Sequence, residues 1–286
     1  MQSVKSFADE IILVLDSRSS DNTEQIARKY TNKIYRYAWN EGAFSSIRNY
    51  ANSLATGEWI FRIDADEIVP VGVGNMILQA TQFTDVSAYL VSIKNWQENP
   101  VGNTAASWIV SETMRLHKNR PWLYYSGLVH EDLYESLQTA SKREKIRLER
   151  FGGVLEHYGY LKESSVVKAK HDFYAALLIK QLEKAPSDFM AHLNYAVHLC
   201  SRNQLDEAEI HFLKAIEINP KCWTAHNELG SLYYKKALNM ELLSKATCCY
   251  QKALATLRIE PLANSVHSDK VLGNMRLVNS IRNSAK

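Results

Sequence analysis

The stretch Glu58-Trp59-Ile60-Phe61-Arg62-Ile63-Asp64-Ala65-Asp66-Glu67 decides the reading of this chain. A short, mostly apolar run leads straight into two carboxylates spaced i, i+2. Such a run predicts a buried strand, Glu58 to Ile63, ending at a sheet edge. On an extended backbone residues i and i+2 point the same way, so Asp64 and Asp66 are expected to reach one cation together. Open α/β sheets bind ligands beyond the carboxyl ends of their strands, where this pair falls. A hard divalent ion held by one or two carboxylates keeps positions open for phosphate oxygens. The plainer reading is a solvated acidic turn closing a strand.

Upstream, Asp9 to Asp16 (DEIILVLD) is too apolar for a wet face and reads as a central parallel strand. The small polar residues Ser17 to Thr23 form a loop in which Asp21 or Ser20 can cap a helix over Thr23 to Tyr30. Lys33 to Tyr37 reads as a second strand. Phe44, Ile47, Ala51 and Leu54 fall at helical spacing, and Thr56-Gly57 ends that helix. Strand, helix, strand, helix, strand is the pattern of a parallel sheet with covering helices.

With those residues in place, DEIILVLDSRSSDNT followed by GAFSSIRNYANSLATGEWIFRIDADE resembles a family 2 glycosyltransferase of the GT-A fold. The resemblance implies an α/β, Rossmann-like nucleotide-sugar domain. In its terms Asp16 contacts the nucleotide, Ser19 or Ser20 joins Asp21 and Thr23 in an S-x-D-x-T loop, and Arg48-Asn49 is the Arg-Asn pair of the next helix. Asp64-Ala65-Asp66 is the D-x-D metal motif, with Ala65 lying against the donor. The family opens with a further strand, which forms part of the base pocket and has no counterpart here. Loss of a central strand would expose ladder groups, so a fragment is expected rather than a working variant.

Farther on, Ser87 to Lys94 and Ser107 to His117 read as strands joined by a turn at Glu98 to Asn103. Gly127-Leu128-Val129-His130-Glu131 and His157-Tyr158-Gly159-Tyr160 resemble segments of lipopolysaccharide-core glucosyltransferases and of the S-glycosyltransferases that modify glycocin peptides. Displacing a nucleoside diphosphate requires stabilising leaving-group charge, which a metal supplies, and taking a proton from the acceptor. Glu131 is the candidate base, with His130 as second choice or orienting group. His157 is a candidate third metal ligand or diphosphate contact. Arg115 is assigned no more than support on the acceptor side. The plainer reading of each histidine is structural, and of Glu131 a surface charge. The basic run Ser141 to Arg150 reads as a solvated hairpin or loop.

After Leu161 the pattern changes, giving expected domains of residues 1–162 and 163–286. Ser164 caps a helix over Val166 to Glu183. Pro186 to Pro220 spans 34 positions, and the unit that follows, to Pro261, spans 41. The shorter is the period of tetratricopeptide helix pairs. Small residues at Ala196/Gly230 and Ala208/Ala246 let helices approach, while Phe212 and Tyr250 fill the gap between repeats. The extra residues are expected around Asn239 to Leu243 and Ala255 to Ile259. A capping helix over Asp269 to Arg282, or a frayed tail, completes an all-α domain resembling tetratricopeptide repeats. Such repeats offer a concave surface for a protein partner, or serve as a structural cap or dimer contact.

Bulk properties narrow the classes. A chain of 286 residues at 46% hydrophobic and 23% charged is globular. A net charge of +3 gives no strong pull toward nucleic acid. No apolar run approaches the ~18 residues of a membrane span. The four cysteines lack zinc or CxxC spacing and suit a reducing, cytoplasmic setting. The expected function is transfer of a sugar from a UDP- or GDP-sugar to a peptide or saccharide acceptor, assisted by Mn²⁺ or Mg²⁺. Inversion at the sugar is implied by the resemblance. The alternative is a decayed or truncated catalytic domain whose repeats act as a scaffold.

Overall fold

The computed structural model describes residues 1–39, 43–97, 107–159, 161, 164–237, 239–259 and 261–284. The expected turn at Glu98 to Asn103, Tyr160 and the boundary at 162/163 lie outside the described residues. The chain divides into two compact units, Met1–Ala169 and Lys170–Lys286.

The first unit holds two sheets. Strand β1 (Leu13–Asp16), helix α1 (Thr23–Ala27) and strand β2 (Ile34–Tyr37) form a parallel pair with its crossover. Helix α1 is shorter than its predicted span: Arg28 to Tyr30 continue as turns. Helix α2 (Phe44–Leu54) leads to β3 (Trp59–Phe61), which does not join β1. Instead β3 borders a five-stranded sheet in the order β3-β6-β5-β7-β4. Here β4 is Glu67–Ile68, β5 Ala88–Gln97, β6 Ser107–Lys118 and β7 Leu148–His157. The expected continuous parallel sheet is corrected to a mixed one. β6 pairs antiparallel with both β3 and β5, β4 pairs antiparallel with β7, and the β5–β7 pair is parallel. The physical reason lies in β6, whose buried end (Arg115, Leu116 and His117) takes the edge of β3.

Helix α3 (Val73–Ala80) covers the main sheet through Val73, Ile77 and Ala80, packed with Val91, Ile93, Leu116 and Leu155. Helix α4 (Tyr134–Ala140) closes a smaller cluster of Leu123, Tyr125, Leu133 and Leu137. Of the two readings of the basic run, hairpin or loop, the loop holds: it leaves α4 through turns and enters β7.

The division between units falls within α5 (Ser164–Lys184). The second unit pairs α6 (Phe189–Ser201) with α7 (Leu205–Ile218) and α8 (Trp223–Lys236) with α9 (Met240–Ile259), followed by α10 (Pro261–Ser284). Ala196, Ala208 and Ala246 are fully buried, and Phe212 and Tyr250 nearly so. A Cβ on Gly230 would stand 2.7 Å from the Tyr250 ring, so only glycine admits that ring here. The longer second unit is absorbed by α9, which has 20 residues against 14 in α7. Asp188 caps α6 by accepting from the Met190 and Ala191 amides. Pro186 O and Pro220 O accept from His192 Nε2 and His226 Nε2, a contact repeated at the same 34-residue interval. No described helix is long and apolar enough to cross a membrane.

Candidate functional site

Asp64-Ala65-Asp66 does not lie on extended backbone. Strand β3 stops at Phe61, and the Glu67 amide donates to Asp64 O at 3.1 Å, closing a turn before β4. The expectation that Asp64 and Asp66 share one direction is corrected by this turn, and Ala65 stands exposed at its tip. The two carboxylates take different partners.

Asp64 enters a cluster of guanidinium groups. Its Oδ1 accepts from Arg48 Nη1 at 3.1 Å and its Oδ2 from Arg115 Nη2 at 3.0 Å. Arg115 also donates to Glu67 Oε1 at 2.6 Å, and Glu67 Oε2 accepts from the Asp64 amide at 2.8 Å. Arg115 is the extra residue of a β-bulge: Leu116 pairs with Tyr89 while Met114 pairs with the next residue, Leu90. Bulges re-aim a side chain out of a strand's alternation, here toward the β3–β4 turn. Burial raises the Asp64 carboxyl pKa, but Arg115, Arg48 and Arg62 override it and hold the group well below the usual carboxylate range. Burial raises the Glu67 carboxyl despite Arg115.

Asp66 turns instead to His157, whose Nε2 lies 3.4 Å from Asp66 Oδ1. His157 Nδ1 meets Asn95 Oδ1 at 2.8 Å, fixing the ring orientation from the adjacent strand. Gly159 presses against both groups: a Cβ there would crowd Asp66 Oδ2 and stand 2.5 Å from His157 Nε2. One carboxylate and one oriented imidazole in a cradle that a methyl would fill fit a first-row divalent cation. The expected trio of Asp64, Asp66 and His157 is divided, because both Asp64 oxygens face arginine. Among the described residues no three His, Cys, Asp or Glu side chains form a ready cation cage.

The loop carrying His130 and Glu131 is built from Gly127 and His130, both in left-handed conformation at φ 97° and 53°. Two hydrogen bonds between the backbones of Ser126 and Asp132 close it. A Cβ at Gly127 would meet Val129 O at 3.3 Å, which adds to the need for glycine. Helix α2 is tied to this loop. The Phe44 amide donates to Leu128 O at 2.8 Å, and Asn49 bonds both the amide and carbonyl of Tyr125.

Glu131, the candidate base of the sequence, lies inside the arginine cluster. Its side chain is 8% exposed, and Oε1 accepts from both Arg48 Nε and Arg62 Nη1. The Oε1 atom is thus already engaged by two guanidiniums. It joins α2, the segment just after β3 and the loop. His130, by contrast, is exposed. Asp132 beside it is pushed up to about 6 by burial, and it accepts from the Tyr134 amide at the start of α4.

Asp16, Ser19 and Asp21 form a separate group after β1. The Asp16 carboxylate is wrapped by Arg18, which lowers it to about 2, and Ser19 O accepts from Arg36. Asp21 accepts from the Thr23 amide at 3.0 Å and so opens α1. The sequence reading gave no role to Arg62, Glu67 or Asn95. Glu67 directly after the carboxylate pair, and Arg62 between Phe61 and Ile63, were the available signals.

Residues 2–141 match the family described as Glycosyl transferase family 2. The match covers most of the first unit and just under half of the chain. A TPR repeat-containing protein of Synechococcus elongatus is 32% identical over 162 residues, covering 56% of this chain and 38% of that protein. The SPbeta prophage-derived glycosyltransferase SunS of Bacillus subtilis is 25% identical over 217 residues, covering 75% of this chain and 48% of that protein. The chain thus spans less than half the length of these curated relatives. Among solved structures, the complex of the yeast Sti1 TPR2B domain with pHsp70 aligns at a TM-score of 0.35 and 15% identity. It covers 41% of this chain and 90% of that one. The family match falls on the unit that holds the mixed sheet, and the helix pairs α6–α7 and α8–α9 follow it in the sequence.

Proposed function

We propose that this chain transfers a sugar, with inversion, from a nucleoside diphosphate sugar to a peptide or saccharide acceptor, assisted by Mn²⁺ or Mg²⁺. The observation that carries the reading is the Asp66–His157 pair cradled by Gly159, set beside an Asp64 neutralised by Arg48 and Arg115. Asp66 and His157 would hold the cation, which when bound supplies positive charge to the departing diphosphate. Arg48 would face the same anion. Asp16, Ser19 and Asp21 would contact the nucleotide, with Ala65 against the donor. His130, exposed on its strained loop, would accept the proton of the incoming nucleophile, with Glu131 fixing the loop through Arg62. The domains would divide near 162/163, and the helix pairs would present a protein or peptide. The four cysteines are free thiols, which supports a cytoplasmic setting.

Calorimetry with UDP and GDP, with and without Mn²⁺, tests the donor site. Metal-dependent binding that disappears in Asp66→Ala is the expected result. A wild-type chain that binds neither nucleotide with Mn²⁺ would overturn it and favour the second reading, a scaffold acting through its repeats. That reading draws on the repeat-containing relative.

A further inference from the structure

The two arginines that hold Asp64 are anchored differently. Arg115 is 6% exposed, and the same Nη2 that reaches Asp64 also serves Glu67, whose side chain is 2% exposed. Moving it away from Asp64 would break a buried pair. Arg48 is 20% exposed and divides its contacts: Nε holds Glu131, while Nη1 reaches Asp64. Its outer end can leave Asp64 with the Glu131 contact intact. Asp64, at 36% exposed, is the outermost carboxylate of the cluster.

A carboxylate with both oxygens on guanidiniums is a poor cation ligand. A diphosphate is a stronger partner for a guanidinium than one carboxylate, because it carries more charge and offers paired oxygens. We infer that Arg48 is an exchange residue: it neutralises Asp64 in the empty site and turns to the diphosphate when the donor enters, leaving the Asp64 carboxylate less compensated and the turn it shares with Asp66 more favourable to a cation at Asp66 and His157. This rests on the nucleotide-sugar reading and adds a coupling to it. Cation and diphosphate each strengthen the other's binding through one side chain.

The test titrates the full chain with Mn²⁺ alone, UDP alone and both, following free Mn²⁺ by electron paramagnetic resonance and UDP by calorimetry. Wild type is expected to show coupling of about tenfold or more. Arg48→Gln should bind Mn²⁺ alone more tightly and UDP more weakly, and lose the share of the coupling that Arg48 carries, leaving that of the direct cation–diphosphate contact. Asp64→Asn should tighten UDP binding without Mn²⁺ by more than Asp66→Asn, which removes the same charge but not Arg48's partner. Adding Arg48→Gln should abolish that gain.

Coupling undiminished in Arg48→Gln, or equal gains in the two asparagine variants, would overturn the inference while leaving the donor site standing. Wild type that binds neither UDP nor GDP with Mn²⁺ would overturn the donor site itself. If Arg48→Gln fails to fold, Arg48→Lys serves. Its single ammonium can satisfy Glu131 but not Asp64 as well, so the coupling should still fall.

Discussion

The two units fit their parts together by opposite means. In the second, close approach is achieved by removing atoms: Ala196, Ala208, Gly230 and Ala246 are small so that Phe212 and Tyr250 can fill the space. In the first, the centre is three guanidiniums and three carboxylates, Arg48, Arg62 and Arg115 with Asp64, Glu67 and Glu131. Shape complementarity tolerates small changes in proportion to volume. A buried charge network does not, because removing one member leaves another uncompensated.

The largest expected effect tests the packed side. Phe212→Ala should cost about 4 kcal/mol, measured by chemical denaturation, because the ring is almost wholly enclosed. Next comes the charged side. Glu67→Gln leaves Arg115 with Asp64 as its remaining carboxylate partner and should cost about 3 kcal/mol by the same measurement. A loss below that of a surface substitution would make the network ornamental and collapse the contrast. Gly230→Ala should cost about 2 kcal/mol through overpacking against Tyr250. Gly159→Ala separates stability from function: its methyl displaces Asp66 or His157, so Mn²⁺-dependent UDP binding should fall about tenfold with little change in melting.

The smallest effect is in pH. Burial lowers the pKa of His211 and His226 below the ordinary value, with His192 opposing and Glu207 favouring the charge on His211. A depressed folded-state pKa means the unfolded chain takes the proton first, so the second unit should lose stability as pH falls from about 7 to 5. In the first unit burial lowers His117 to about 4, which acts in the same direction. Asp132, raised to about 6, and Glu67, also raised, act in the opposite one. Hydrogen exchange at pH 7 and 5.5 should therefore show the second unit loosening more.

The contrast also explains what was legible in the sequence. Helical periodicity and the 34-residue interval record volume, so the positions of Ala196, Phe212, Gly230 and Tyr250 could be read directly. The strands β1, β2 and β5, and the helix α2, were visible from hydrophobic runs and capping residues. Helices α3 and α4, with 8 and 7 residues, are about two turns each and leave too little periodic pattern. The mixed order of the main sheet depends on which strand takes the edge of β3, a pairing with no local signal. The site was legible as residue types but not as partners. Asp64, Asp66, Glu131 and His157 were named, yet the β3–β4 turn and the β6 bulge decide which of them meet arginine and which meet each other.

The bulge at Arg115 has a meaning beyond the charge it carries. In a strand every residue is assigned to one side or the other by parity, and one added residue reverses the parity of everything on one side of it. Leu116 and Met114 are thus counted in two different phases within one strand, although both face consecutive residues of β5, Tyr89 and Leu90. Deleting position 115 would make them adjacent and leave both halves facing the same β5 partners. What the strand would lose is the residue outside the count, the guanidinium that reaches Asp64 and Glu67, so the insertion adds a side chain to the site without disturbing the alignment on either side.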